Sequence, residues 1–573
     1  MRLRGSPGSA RLSKRRRREH VPAAAESPAP PRVPAWRFPL LAAAVALIVY
    51  APSIAGGFVY DDGELILRNP SIRDLTAWRS IFGYEPARPL LTWTWALNFA
   101  AGGESAWSYH LVNVLIHAAS AALLVSLFVW MARKLGRPDA EPRALLGACL
   151  FAATPMAAET VAYVASRSSA LVALLGLASL RLAASVLDGG PRARLAAALA
   201  LFGLAALTKE EAAAIPLMLV ALDYFFVAGQ RWSGVRSRWW IHALFLITLP
   251  LGLLARHAMT GSWLPPPAIP TGLYLLTQCA AFPAYFVRAL IPLDPALYRG
   301  HPPATWLPSA WVVLGVLLTI AIVVGAVVRR RVRPEWSFAV ACLAAGLLPS
   351  SSLVALNEMV VDHRAYFGSF GIAFALGDLL WRLGRARLGI AVVVLLAARA
   401  VAYERVLADP VRAWEDAVAR APDSTDALSA LGESYAARGD ARAEQAFQRA
   451  VRAAPGNYRY WANLGLYYGD QRRYEEAVKA LRAAVERNPR DGTVRDYLGQ
   501  LLQGLGREDE AAAEFEAAIA AEPQFAQPYI NLAALHLRRG QPEKARPLLA
   551  TVARFPSSAE EAEAIARMQR ELP

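Results

Sequence analysis

Two adjacent carboxylates, Asp61 and Asp62, stand where an apolar run beginning at Phe38 gives way to a polar loop, in the string Gly57-Phe58-Val59-Tyr60-Asp61-Asp62. Carboxylates held at the edge of a bilayer sit at the depth of a lipid phosphate. There one can accept the proton of an attacking hydroxyl while cations hold a departing phosphate, the division of labour needed to move a sugar off a polyprenyl phosphate. The same pair also suits a plainer task, capping a loop helix or pairing with a nearby arginine.

Other ionisable residues recur at segment ends. Arg88-Pro89-Leu90 precedes an apolar stretch, and His110, Asn113 and His117 fall at i, i+3 and i+7 of one helix face. Glu159 and Arg167, then Lys209 and Glu210, then Asp362, His363, Arg364 and Tyr366 occupy comparable places. Polar side chains within a span are costly and face a bundle interior or a wet cavity, so each is a site candidate. The alternative is that they join spans through hydrogen bonds or ion pairs.

The elements that must position these residues are membrane helices. Of 573 residues, 55% are hydrophobic, and the mean hydropathy of +0.28 argues against a soluble multidomain enzyme. Phe38 to Val59, Trp107 to Met131, Trp239 to Ala255, Trp306 to Val328 and Trp336 to Leu356 approach or exceed the roughly 20 residues that cross a bilayer. Ala144 to Ala165, Ala170 to Leu187, Leu195 to Thr208, Ala212 to Phe226, Thr271 to Ile291, Ala365 to Leu380 and Leu388 to Ala402 are weaker segments, making about twelve in all.

The net charge of +15 does not mark a nucleic-acid binder, because charges from Val411 onward nearly balance. The excess instead punctuates the spans: Arg11 to Arg18, Arg133 to Arg143, Arg231 to Arg238, Arg329 to Arg333 and Arg382 to Arg387. Basic loops stay cytoplasmic. Keeping all of them inside predicts about eleven crossings plus one re-entrant segment, Thr271 to Ile291, which carries Pro283. The site candidates after His117 and the C-terminus then share the exoplasmic side with the Asp pair, which is the sequence argument for a single site.

From about Trp414 the texture changes to short amphipathic helices. Pro422, Pro455, Pro489 and Pro523 recur at spacings of 33, 34 and 34, the period of tetratricopeptide repeats. Leu431-Gly432, Leu464-Gly465, Leu498-Gly499 and Leu532-Ala533 mark the first helix of each unit, Ala443, Ala477, Ala511 and Ala545 the second. Phe447, Leu481, Phe515 and Leu549 fill the large-residue slot, where small residues let paired helices approach and a large one plugs the gap. The pattern predicts a half repeat from Trp414, four repeats and a capping helix over Ala559 to Leu572, forming a groove for an extended peptide or a protein.

Cys149, Cys279 and Cys342 sit in apolar segments without metal-ligand spacing. No ligand cluster requires a divalent metal, although the transfer chemistry accommodates one. Val21 to Pro34, rich in Pro and Ala, reads as a disordered cytoplasmic tail before an uncleaved anchor.

The Phe58 to Asp62 string, Asn69-Pro70, Arg88-Pro89-Leu90, Tyr109-His110-Leu111-Val112-Asn113 to His117, Thr208-Lys209-Glu210, His363-Arg364-Ala365-Tyr366 and the trailing repeats together resemble the transmembrane and tetratricopeptide-repeat-containing O-mannosyltransferases. The resemblance covers nearly the whole chain after the tail. It implies a GT-C membrane glycosyltransferase that uses a polyprenyl-phosphate sugar, typically mannose, and modifies Ser or Thr hydroxyls of proteins. Carried over, Asp61 and Asp62 become the catalytic acids, Arg88, Lys209 and Arg364 the phosphate contacts, with His110 and His363 nearby. Two departures bear on substrate identity: Arg167 is followed by Ser168 and Ser169 where the family has a small residue and Asp, and Thr154-Pro155 stands for His-Pro. The long insertion of animal members is absent, as in a compact bacterial relative.

The expected architecture is therefore all-α: a basic tail over 1–36, a GT-C-like membrane bundle over 37–405 with its first exoplasmic loop at 57–105, and a repeat solenoid over 411–573. The expected partners are the bilayer, a polyprenyl-phosphate donor and a protein acceptor, in an inner membrane with the repeats exoplasmic. Two rivals stand beside this reading: transfer to an envelope glycan or lipid, and a non-catalytic membrane scaffold.

Overall fold

The computed structural model describes residues 34–59, 61–260, 269–299, 304–305, 309–350, 360–555, 559–570 and 572. The expected N-terminal tail falls almost wholly outside them, as do Tyr60, Trp306 to Pro308 and the last residues of the Trp336 to Leu356 segment. Among the described residues every regular element is helical.

Six helices are long and apolar enough to cross a membrane: Arg37–Ala55, Ala106–Lys134, Val164–Leu187, Thr271–Leu290, Ala310–Arg329 and Ala386–Leu407. A seventh arises if the pair Ala140–Ala152 and Pro155–Ala162, bent by 48°, counts as one span. Ala193–Ala206, Trp239–Leu254 and Pro334–Leu348 are shorter apolar helices. These features make the chain a membrane protein. The bend after Ala152 follows from Pro155, which lacks an N–H and cannot extend the preceding helix; it is the bend that carries Glu159.

Small residues set how closely the helices pack. A Cβ on Gly377 would lie 2.7 Å from Gly147, so the Phe370–Arg382 and Ala140–Ala152 helices meet backbone to backbone. Thr271–Leu290 is one continuous helix with Pro283 inside it, whereas the sequence suggests a break there. The carbonyl of Cys279, four residues before Pro283 and left free by it, accepts from the Thr319 hydroxyl of the neighbouring Ala310–Arg329 helix at 2.6 Å. The Tyr274 hydroxyl near its start donates to the Ser350 carbonyl, and Arg288 near its end meets Asp362 at 3.1 Å.

Three of the basic loops are tied together at one end of the bundle. Arg137 meets Glu335 at 3.5 Å and Asp378 at 3.4 Å, Arg143 meets Asp378 at 2.7 Å, and Arg382 meets Glu335 at 2.7 Å and Asp378 at 2.9 Å. The expectation that these loops share a side matches this network. The Asp61 loop and the repeats lie at the other end.

There the Ala386–Leu407 helix runs into Pro410–Arg420, and the repeats follow as paired helices from Thr425–Ala436 to Pro542–Val552, with Ala559–Arg570 closing the stack. The small-against-large rule is visible in the spacing. A Cβ at Gly432 would meet the Phe447 ring at 2.8 Å, and one at Gly499 would meet Phe515 at 2.6 Å. Arg420 reaches back to Asp294 at 2.5 Å, fastening the first repeat helix to the membrane part.

Candidate active site

A cavity of about 350 Å³ opens between the bundle end and the first repeats. Asp61, Arg88, Glu159, Lys209, Glu210, His363 and Arg364 all line it, although they come from five separate stretches of chain.

Asp61 and Asp62 diverge. The fully buried Asp62 carboxylate accepts the backbone N–H groups of Val59 at 3.1 Å, Ala165 at 2.8 Å and Val164 at 3.4 Å. It clamps the loop onto the start of the Val164–Leu187 span and does not line the cavity. Burial pushes its carboxyl up to about 7, with the three backbone donors and then Asp61 acting after it. Asp61 points into the cavity. It reaches solvent at the mouth, yet protein surrounds most of it, and this desolvation raises its pKa while the Tyr163 hydroxyl and Arg88 pull it back.

The cations are held by local geometry. Arg88 caps the helix that Pro89 starts at its N1 position; its guanidinium meets Glu210 at 3.4 Å and Glu85 at 3.6 Å. Lys209 donates to the Ser169 hydroxyl at 2.9 Å and meets Glu211 at 3.0 Å. Burial favours a neutral Glu210, but Arg88 and Lys209 outweigh it and hold that carboxyl below its usual range. Arg364 is only 1% exposed. His363 binds Glu159 twice, through Nδ1 to Oε1 at 2.6 Å and through its backbone N–H to Oε2 at 3.1 Å. Asp362, just before it, faces the other way and holds Arg288 and Arg299.

The remaining candidates lie outside this cavity and join helices. His110 meets the Gly57 carbonyl at 3.3 Å. Asn113 donates to the Val161 and Tyr163 carbonyls and accepts from Arg167 Nε at 2.7 Å. Arg167 also donates to the Tyr109 carbonyl at 2.9 Å. His117 pairs with the Tyr366 hydroxyl at 2.7 Å and the Ala152 carbonyl at 3.1 Å. Among the described residues no group of three His, Cys, Asp or Glu side chains is placed to hold a metal ion.

The family model described as Tetratricopeptide repeat matches residues 395–458, 441–492 and 462–524, and a second of that description matches 502–566. Protein O-mannosyl-transferase TMTC2 of Homo sapiens is 33% identical over 154 residues, covering 25% of this chain and 18% of that protein. Protein O-mannosyl-transferase TMTC4 of Homo sapiens is 33% identical over 24% of this chain and 22% of its own length. Over those stretches the chain is similar to the TMTC protein O-mannosyl-transferases. The matched stretch spans about a fifth of those relatives. Among solved structures, MamA is 20% identical, over 27% of this chain and 89% of that one, with a TM-score of 0.24.

The repeats contribute directly to the cavity. Trp414, Asp426 and Arg459 line it beside Leu297 and Tyr298. Sequence reasoning missed them as site residues: Trp414 is a packing residue, only 3% exposed, and Asp426 and Arg459 lie off the packing positions that the repeat period marks. Deeper in the bundle lies an apolar cavity of about 420 Å³, walled by Phe151, Leu290, Leu376 and Leu396. Ile291, on its rim, is 56% exposed.

Proposed function

We propose that the chain is a GT-C-type membrane glycosyltransferase that moves mannose from a polyprenyl-phosphate donor to Ser or Thr hydroxyls of exoplasmic proteins. The reading rests on one observation: a carboxylate, Asp61, shares a cavity with three cations, Arg88, Lys209 and Arg364, at the end of the bundle where the repeats dock. That is the charge pattern of a displacement in which a hydroxyl loses a proton as a phosphate departs.

The acceptor oxygen attacks the anomeric carbon while the bond from that carbon to the phosphate oxygen breaks, inverting the centre. Asp61 takes the hydroxyl proton. The electron pair leaves with the polyprenyl phosphate, whose growing charge Arg88, Lys209 and Arg364 hold. Asp62 acts as a positioning residue by fixing the loop. The His363–Glu159 pair holds the segment that carries Arg364. The apolar cavity beneath suits the prenyl chain, and the name shared by the curated relatives supports both the sugar and the acceptor class. In this reading 37–405 is the catalytic bundle and 411–573 the acceptor-facing solenoid, both ends of the reaction lying outside the cytoplasm.

Glycopeptide analysis of exoplasmic proteins from cells carrying wild-type chain or Asp61→Asn tests this. Loss of Ser and Thr hexose in the variant is expected. Unchanged protein glycans with altered envelope polysaccharide would move the acceptor to a glycan, and no change in either would leave a scaffold.

A further inference from the structure

At the end of the bundle made by the basic loops, the carboxylates run out before the arginines do. Arg137, Arg143 and Arg382 take up both Glu335 and Asp378. Among the described residues Arg329 has no carboxylate within ion-pair distance, and Arg333 has only the already shared Glu335, at 4.0 Å. Both line a groove of about 490 Å³ formed chiefly by the Thr271–Leu290, Ala310–Arg329 and Pro334–Leu348 helices. Phe286, Ile322, Val340 and the Trp336 ring wall it. Hydrogen bonds hold the walls together: the Ser337 hydroxyl donates to the Ala326 carbonyl at 2.7 Å, and the Thr319 hydroxyl to the Cys279 carbonyl at 2.6 Å. Ala310–Arg329 is the most apolar of the six candidate spans and the least covered by protein, so what fills a groove along it comes from the bilayer.

We infer that this groove seats one acidic glycerophospholipid of the leaflet at the basic end, its phosphate on Arg329 and Arg333 and one acyl chain along the apolar wall. A guanidinium offers paired N–H donors that match phosphate oxygens. Tryptophan is enriched at the same level of a membrane, where its ring is apolar and its N–H meets the headgroups. Depth decides the tail. From Ala321 to Arg329 the lining helix rises about 12 Å, at about 1.5 Å per residue, which falls within the roughly 15 Å of hydrocarbon in one leaflet. An acyl chain fills that length, whereas free phosphate would leave the wall bare. Charge decides the head. A phosphoglycerol group brings one uncompensated negative charge, while a phosphocholine group carries its own cation to a rim already rich in positive charge. The site lies at the opposite end of the bundle from the Asp61 cavity and does not depend on the transfer reaction.

The test is native mass spectrometry of the full-length protein in detergent, titrated with dioleoyl phosphatidylglycerol or dioleoyl phosphatidylcholine. One phosphatidylglycerol should stay bound, at least about tenfold more tightly than phosphatidylcholine. An arginine near an anionic headgroup is worth about fivefold in affinity, so Arg329→Gln together with Arg333→Gln should weaken phosphatidylglycerol roughly 25-fold. Arg331→Gln, in the same run but outside the groove, should change it by less than about twofold. Gly325→Leu keeps every charge. A Cβ at Gly325 meets nothing within 4 Å, so the larger side chain enters the groove with the helix intact, and binding should fall at least about tenfold. Phosphatidylglycerol with a photoreactive acyl chain should label the wild type on the helices that carry Phe286 and Ile322. Equal retention of the two lipids, an Arg331→Gln effect as large as that of the pair, wild-type binding by Gly325→Leu, or labelling confined to other helices overturns the site. Displacement of the lipid by inorganic phosphate, or by polyprenyl phosphate at a lower concentration than phosphatidylglycerol itself requires, overturns the glycerophospholipid assignment.

Discussion

At the end of the bundle made by the basic loops, Asp378 and Glu335 are fully buried and ringed by Arg137, Arg143 and Arg382. At the opposite end Asp61, Arg88, Lys209 and Arg364 also come from distant stretches, but they border a void. Both regions gather charge from many helices; only one leaves it facing space a ligand can fill. The contrast separates two uses of the same residue types. Charges that satisfy one another fix the fold, and charges around a cavity stay available to a reactant.

The comparison breaks most sharply at Asp61. Asp61→Asn keeps the shape and removes the base, so transfer to peptide should fall by about 10²–10⁴-fold, with the melting temperature in detergent nearly unchanged. Transfer within a few-fold of wild type would mean that the cavity is not the reaction centre. Asp378→Asn should do the reverse. It leaves Arg143 and Arg382 without their buried partner, at a cost of about 3–5 kcal/mol. Chemical denaturation should register that loss, while turnover per folded molecule holds. Equal damage to kcat would erase the distinction between the two ends.

Asp62 falls between the two. It belongs to the cavity end by sequence and to the self-satisfied class by its contacts. Asn at this place can accept through only one oxygen, so one or more backbone N–H groups lose their partner, at about 1–3 kcal/mol each. A lower melting temperature with a modest fall in kcat is expected. A loss of transfer as deep as that of Asp61→Asn, without destabilisation, would give Asp62 a role in the chemistry.

Much of this was legible in the sequence, for reasons that differ by region. The repeats announce themselves because stacking demands a fixed period, and Gly432 against Phe447 shows the steric rule that writes it. Ionisable residues at the ends of apolar runs could be gathered to one side because basic loops fix the sidedness of every span. Asp61 could not be told from Asp62, since adjacent residues share composition and depth and differ only in direction. His110, Asn113 and His117 share a helix face, as their spacing requires, but a shared face does not say whether it meets a void or another helix. Here it meets the Val161 to Arg167 segment, Ala152 and Tyr366. Arg459 was out of reach because only the docking of the repeats onto the bundle brings it to the cavity.

The smallest effect expected is a shift in pH dependence, and it sharpens the comparison because only a group facing the cavity should show it. Desolvation raises the Asp61 pKa above its ordinary 3.8, and the Tyr163 hydroxyl and Arg88 oppose the rise. A base works ionised, so activity is present above its pKa and is lost as the pH falls through it. The acid limb of kcat/KM should therefore lie above the range of an exposed aspartate, with a slope of one proton. Removing either opposing group favours the neutral acid further. Tyr163→Phe and Arg88→Gln should thus each move the limb to higher pH, and removing the Glu64 charge, which pushes the pKa up, should move it down. The Asp378 network is remote from the free carboxylate, so substitutions there should leave the limb in place. If Tyr163→Phe moved it to lower pH, the proton would be going to some other group, and the charge at the two ends would no longer divide by function.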